Sequence, residues 1–167
     1  MVISGKELEK KRMLWYDGCI LPHMNAEKLE MIQMMNFEDM VTLTNENNTF
    51  MRKNRIRIVS VDMDHAIAEA IITQELKNLN GTVHGGAYFT MADACCGILA
   101  RADGRKYATT DTSFRFLKAA TAGTMVAEST VVKRGKTLSF FSVIILLKET
   151  GELLSDGDFT FFCTSEG

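Results

Sequence analysis

The stretch NLNGTVHGGAYFTMADACCG places Asn78, His84 and two glycines directly before a long apolar run, which a single carboxylate, Asp93, interrupts. Polar groups at the mouth of a buried segment cost free energy unless they have partners. If Gly85 and Gly86 begin a helix, their N–H groups lack intrahelical acceptors and lie at the positive end of the helix dipole. Such donors can bind a polarised carbonyl oxygen, and a lone carboxylate in an apolar helix is a candidate catalytic group.

The histidine and the aspartate of this stretch do not form a nucleophile–base pair within one chain. Nine residues separate His84 from Asp93. Nine steps of about 100° place the two side chains on roughly opposite sides of a helix, about 13 Å apart along its axis. We therefore expect His84 to orient the loop or Asn78, or else to be a structural histidine.

Hydrophobic periodicity predicts the elements that position these residues. A helix is expected from about Gly85 to Ala102, and because it is apolar on nearly all sides we expect it to be buried all round. Two strands precede it, the first being RIRIVSV with its period-two alternation. Four strands follow it, at about 106–117, 123–133, 137–148 and 152–163. A five- or six-stranded antiparallel sheet curled around one helix fits this order, so the predicted fold class is α+β.

The amino-terminal part of the chain differs from the rest in its sequence pattern. Residues 1–49 look helical, with Asn25 as a possible cap, and TNENNT at 44–49 is interpreted as a polar loop. We therefore divide the chain into a helical arm, 1–49, and a domain, 50–167. The arm is expected to lie on the surface of the domain, although a regulatory or dimerising role is an alternative.

Composition narrows the class of protein. The chain has 167 residues, of which 46% are hydrophobic and 24% charged, as expected for one soluble domain. A net charge of −2 without a basic, aromatic-containing stripe argues against nucleic acid as a partner. The four cysteines and three histidines show no metal-ligand spacing. The first residues lack an apolar signal region and the longest apolar run is about half a membrane span, so we expect a cytoplasmic protein and no membrane partner.

The polar residues before the helix resemble a family motif. The pattern N-x-x-G-x-x-H-G-G followed by an aspartate is similar to that of hotdog-fold thioesterases, in particular the phenylacetate-pathway (PaaI-like) acyl-CoA thioesterases. The segments TTDTSFRFLKAATAGT and VVKRGKT extend the resemblance over about residues 50–163. The chain departs from the family at Lys118 and Ala119, where arginine and proline are common. The motif residues are Asn78, Gly81, His84, Gly85, Gly86 and Asp93.

The resemblance implies a hotdog fold and an enzyme that hydrolyses a thioester to free coenzyme A and a carboxylic acid, without a metal or redox cofactor. It assigns Asn78 and the Gly85 N–H to the thioester carbonyl. It gives Asp93 either the activation of water or direct attack on the thioester, and the sequence leaves both open. It also implies a homodimer with shared sites, often paired into a tetramer. A non-catalytic acyl-CoA sensor and, with a poorer fit, an enoyl-CoA hydratase are the alternatives.

The phosphates of coenzyme A predict a basic patch at the mouth of the site. The candidates are Lys118, at the end of one strand, and Lys133, Arg134 and Lys136, at one hairpin. An ordinary solvated surface is the alternative interpretation of such charges. Gly86 is added to the substrate-binding residues because its N–H also lies at the start of the helix.

Overall fold

The structure, a computed structural model, describes residues 36–164 as a six-stranded antiparallel sheet that curls around one long helix. The helices and strands are α1 (Phe37–Asn47), α2 (Thr49–Lys53), β1 (Ile56–Val61), β2 (His65–Ile71), a 3-10 turn (Gln74–Leu76), α3 (Gly85–Arg101), β3 (Tyr107–Phe116), β4 (Thr124–Arg134), β5 (Leu138–Leu147) and β6 (Glu152–Cys163). The strand order is β1-β2-β4-β5-β6-β3. The predicted α+β class and its six strands are confirmed.

The four strands after the central helix begin and end within one residue of their predicted positions. Short glycine-containing turns bound them. Strands β4, β5 and β6 alternate between a buried face turned to α3 and a face turned to solvent, whereas β3 has no buried residue. The inward face of β5, for example, carries Phe141, Val143 and Ile145, all buried. The turn residues therefore located the strands well, and in β4, β5 and β6 the alternation agrees because every second residue is directed at the helix.

The central helix contributes a buried face and an open stripe. Met91, Cys95 and Ile98 are completely buried against the sheet, and α3 contacts β2, β4 and β5 along its length. The expectation that this helix is buried all round is wrong. One stripe remains open because small residues, among them Ala94 and Gly97, line a cleft there instead of packing under a strand.

Helix α1 covers the edge of the sheet at β1. The Asn45 side chain accepts a hydrogen bond from the Ile58 N–H at 2.8 Å and donates to the Ile58 carbonyl at 2.9 Å, as a neighbouring strand would. The predicted polar loop at 44–49 is wrong, since α1 continues to Asn47. Asn48 ends α1 and also caps α2 by accepting from the Met51 N–H. Tertiary contacts and caps thus override the modest helix propensity of Asn and Thr.

Residues 36–49 therefore lie on the surface of the domain, whereas the predicted cap Asn25 and the remainder of the arm lie outside the described residues. No helix between residues 36 and 164 has the length and apolar character needed to span a bilayer.

Candidate active site

The loop that carries Asn78 is closed by its own polar groups. The Asn78 N–H donates to the Thr82 carbonyl at 2.8 Å, and Gly81 turns the chain with φ of +76°, a conformation that favours glycine. The Asn78 Oδ1 accepts the Asn80 N–H at 2.9 Å, while Nδ2 donates to the Thr82 hydroxyl at 2.9 Å. These bonds assign the oxygen and the nitrogen of the Asn78 amide. An amide NH₂ has two hydrogens, so one donor remains for a ligand.

The start of α3 presents backbone donors. His84 is the N-cap, and its Nδ1 accepts the Gly86 N–H at 2.9 Å, so the ring hydrogen is on Nε2. Among residues 36–164, no group accepts a hydrogen bond from the Gly85 N–H. The predicted Gly85 donor is therefore unpaired, whereas the Gly86 donor is occupied by the histidine ring. His84 holds the junction of loop and helix and makes no hydrogen bond to Asn78 in the described part of the chain.

The carboxylate on the central helix is held by a residue of β3. The Thr109 hydroxyl donates to Asp93 Oδ1 at 2.8 Å, and Asp93 is half-buried. Oδ1 is thereby occupied and Oδ2 stays available to a substrate or water. The arrangement is suited to proton transfer or nucleophilic attack, because the carboxylate has one fixed orientation.

Strand β3 runs along one side of α3, in the opposite direction. Phe116 lies where a side chain on Gly85 would stand, at 3.3 Å from the ideal Cβ position. Phe89 packs against Phe114 with ring centroids 5.7 Å apart, and Asp93 bonds Thr109. The helix residues in these contacts are spaced by four, so they share one face of α3. The unpaired N–H and the carboxylate are eight residues apart on that face, about 12 Å along the axis.

A cleft of about 430 Å³ opens beside the carboxylate. Its walls come from α3, β3 and the α1–α2 region, which includes Asn48 of the segment assigned to the arm. A second cleft of about 300 Å³ lies beside His84 and Gly86. The first cleft is lined by Asn48, Phe50, Met51, Phe89, Thr90, Asp93, Ala94, Gly97, Arg101, Tyr107, Thr109 and Phe161.

The four basic residues expected at phosphate have different environments. Lys133 and Lys136 are exposed, and within residues 36–164 their ammonium groups have no ion pair. Lys118 forms an ion pair with Glu152. All three project into solvent.

Arg134 is placed differently from the lysines, because its guanidinium is occupied at the end of α3. It donates to the Leu99 carbonyl at 2.7 Å, to the Ala100 carbonyl at 2.9 Å and to the Met63 carbonyl at 2.9 Å. Its side chain is only 15% exposed, and Asp103 lies within ion-pair distance at 3.4 Å. A cation at these carbonyls stabilises the negative end of the helix dipole. Arg134 therefore caps the central helix, and its donors are not free for phosphate.

The cysteines of the described chain are core residues. Cys95, Cys96 and Cys163 are buried and free of disulfides. Burial raises the pKa of the Cys95 thiol to about 11 and also raises that of Cys96. Because the thiolate is the nucleophilic form, neither thiol of the central helix is suited to attack a substrate at neutral pH. No group of three or more potential metal-ligating side chains comes together between residues 36 and 164.

Sequence reasoning missed two contributors to the site. Thr109 begins the segment TTDTSFRFLKAATAGT, but only the pairing of β3 with the helix reveals its bond to Asp93. Phe50 lies beside the assumed boundary between arm and domain, yet it lines both clefts. The signal available in the sequence was the apolar pair Phe50-Met51 between polar residues, which indicates a turn that packs on the core.

A model of the thioesterase superfamily matches residues 80–154. The human protein acyl-coenzyme A thioesterase 13 is 32% identical over 109 residues, which cover 64% of this chain and 78% of the human protein. The fold and its site thus define a hotdog thioesterase, and the chain belongs to the thioesterase superfamily.

Solved structures share the fold. The PaaI protein of the E. coli phenylacetic acid degradation operon has a TM-score of 0.70 at 21% identity, covering 74% of this chain and 90% of its own. A protein of Streptococcus pneumoniae named a hypothetical thioesterase protein, solved with coenzyme A, has a TM-score of 0.67 at 23% identity, covering 72% of this chain and 94% of its own. The domain is therefore a PaaI-like hotdog fold.

Proposed function

We propose that this protein is an acyl-CoA thioesterase, which hydrolyses the thioester to free coenzyme A and a carboxylic acid. The observation that carries the proposal is that one face of α3 presents both an unpaired Gly85 N–H and a carboxylate held by Thr109. Two comparisons support the choice of substrate: the human relative is named an acyl-coenzyme A thioesterase, and the S. pneumoniae structure contains coenzyme A.

The proposed reaction uses each group at a defined atom. Asp93 Oδ2 takes a proton from water while the water oxygen bonds to the thioester carbon. The carbonyl oxygen becomes negatively charged and accepts hydrogen bonds from the Gly85 N–H and the free hydrogen of Asn78 Nδ2. The carbon–sulfur bond then breaks, the carbonyl re-forms, and the coenzyme A sulfur leaves with the proton that Asp93 took from water, which regenerates the carboxylate. Direct attack by Asp93, through a mixed anhydride that water then hydrolyses, uses the same groups.

We propose that each complete site combines two chains. About 12 Å along the helix separates the Gly85 N–H from Asp93 in one chain, too far for both to act on one carbonyl. Within residues 36–164, β3 pairs with β6 alone and leaves its outer edge open. An open edge is a template for pairing with a second strand. A two-fold dimer through β3 would place the Gly85 end of one α3 beside Asp93 of the other, and paired dimers would give the tetramer common in the family.

Lys133 and Lys136 are the residues that we propose for the coenzyme A phosphates, with Lys118 as a weaker candidate because Glu152 neutralises it. Arg134 is left out of this group, since backbone carbonyls and Asp103 take its donors.

A screen of acyl-CoA chain lengths and aryl-CoAs, with release of free thiol as the signal, tests the proposed function. We expect release above the uncatalysed rate for at least one substrate. A sensor would bind an acyl-CoA without releasing thiol, and a hydratase would instead consume the enoyl double bond. Tight binding with no thiol release from any substrate in the panel would contradict the proposal.

Asn78→Asp is expected to lower kcat by roughly 10² to 10³, the usual cost of one oxyanion donor, with a smaller change in KM. The carboxylate keeps an acceptor for the Asn80 N–H, so the loop should stay closed while the donor is lost. Steady-state thiol release measures both constants. The matched control is Asn80→Ala, which removes an exposed side chain but keeps the backbone N–H. A change confined to KM would make Asn78 a binding residue instead.

A further inference from the structure

The two clefts beside the central helix meet at Phe50 and Thr90, which line both of them. Thr90 belongs to α3 and forms part of the floor. Phe50 comes from α2, on the other side of the clefts. The cleft with Asp93 and the cleft with His84 therefore adjoin at Phe50, a side chain that belongs to neither the sheet nor the central helix.

The backbone that carries Phe50 is firmly held. Its carbonyl accepts hydrogen bonds from the Asn54 N–H at 3.1 Å and from Asn54 Nδ2 at 2.8 Å. Asn48 caps the short helix at the other end, and the neighbouring Met51 is buried in the core. Phe50 as a whole residue nevertheless remains 64% exposed. A ring on a fixed backbone can limit a cleft without contributing much to the core.

The cleft beside Asp93 has a lining that is part polar and part apolar, and the apolar part can hold an acyl group. Phe89 and Phe161 supply rings, and Gly97 leaves space, since the nearest atom to its ideal Cβ position is 3.9 Å away. The neighbouring cleft is also mixed in character, with Glu75, Lys77 and Asn54 among its polar residues. An acyl chain bound at Asp93 would meet Phe50 before it reached the second cleft.

We propose that Phe50 sets the length of the acyl group that the site accepts, by closing the cleft beside Asp93 toward the cleft beside His84. This inference rests on the proposed function for the identity of the substrate. It makes Phe50 a specificity-determining residue on a segment that precedes the sheet.

The test uses two series of ligands of increasing chain length. Saturated acyl-CoAs give kcat/KM, and S-alkyl-CoA thioethers, which have no carbonyl to hydrolyse, give Kd by calorimetry. Phe50→Ala is expected to move both optima to longer chains, with a gain of roughly fourfold for each methylene that the joined clefts bury, equivalent to about 0.8 kcal/mol. Phe50→Trp is expected to move both optima to shorter chains.

Phe37→Ala is the matched control, because Phe37 is an exposed phenylalanine on the adjacent helix α1 and lines neither cleft. Its length profile should equal that of the wild type. Identical profiles for wild type, Phe50→Ala and Phe50→Trp, with unchanged Tm, would overturn the inference even if thiol is released. A thioether profile that shifts with Phe50 while no acyl-CoA releases thiol would support the inference and contradict the proposed function.

Discussion

Asp93→Asn is expected to lower kcat for thioester hydrolysis by about 10² to 10⁴, the usual contribution of a general acid–base group, while the protein remains folded. The amide can still accept the Thr109 hydroxyl at Oδ1, so the bond that joins α3 to β3 is kept. What is lost is an oxygen that can take a proton from water or attack a carbonyl. Thiol release under saturating substrate measures kcat, and circular dichroism with a thermal melt measures the fold.

The control for this substitution is Asp64→Asn, at an exposed aspartate in the β1–β2 turn that lines neither cleft. It should have wild-type kcat. A folded Asp93→Asn protein that turned over substrate at near wild-type rate would remove Asp93 from the catalytic role, whichever of the two mechanisms applied.

Hydrophobic periodicity and turn residues predicted those helices and strands whose positions depend mainly on the local sequence. The four strands from Tyr107 to Cys163 and the helix from Gly85 follow from periodicity and from glycines at turns. The helix and strands β4, β5 and β6 each bury one regular face, and β3, which buries no residue, is bounded by turn residues. The prediction of a polar loop at 44–49 was wrong because a contact between elements decides the structure there. Asn45 stabilises a helix there by bonding the backbone of Ile58, a contact between elements that the sequence pattern does not encode.

The sequence indicated which residue types form the candidate site, but it did not indicate how their side chains are placed. Asn78, Gly85 and Asp93 were proposed as site residues because polar groups beside an apolar helix cost free energy unless they have partners. Arg134 was grouped with its neighbours Lys133 and Lys136 because charge alone does not distinguish them. Strand register distinguishes them. Arg134 pairs with Ser139, whose side chain is buried, so the guanidinium reaches the end of α3. Lys133 pairs with Phe140, on the exposed face.

A mixture of two inactive variants is expected to regain activity if the site is shared between chains. In a mixed dimer of Asn78→Asp and Asp93→Asn subunits, one site collects both substitutions and the other has neither. Random pairing makes about half of the dimers mixed, so about a quarter of all sites should be intact. Thiol release should therefore rise from near zero to about a quarter of the wild-type rate after the subunits exchange.

Mass spectrometry of the intact assemblies shows whether exchange has occurred, and the double variant Asn78→Asp/Asp93→Asn serves as the control. In the double variant every site carries both substitutions, so it should be inactive alone and should not gain activity on incubation. If Asn78 and Asp93 of one chain served the same site, every site in a mixed dimer would carry one lesion. Verified exchange without recovery would then assign both residues to a single chain, against the 12 Å estimated along α3 between Gly85 and Asp93.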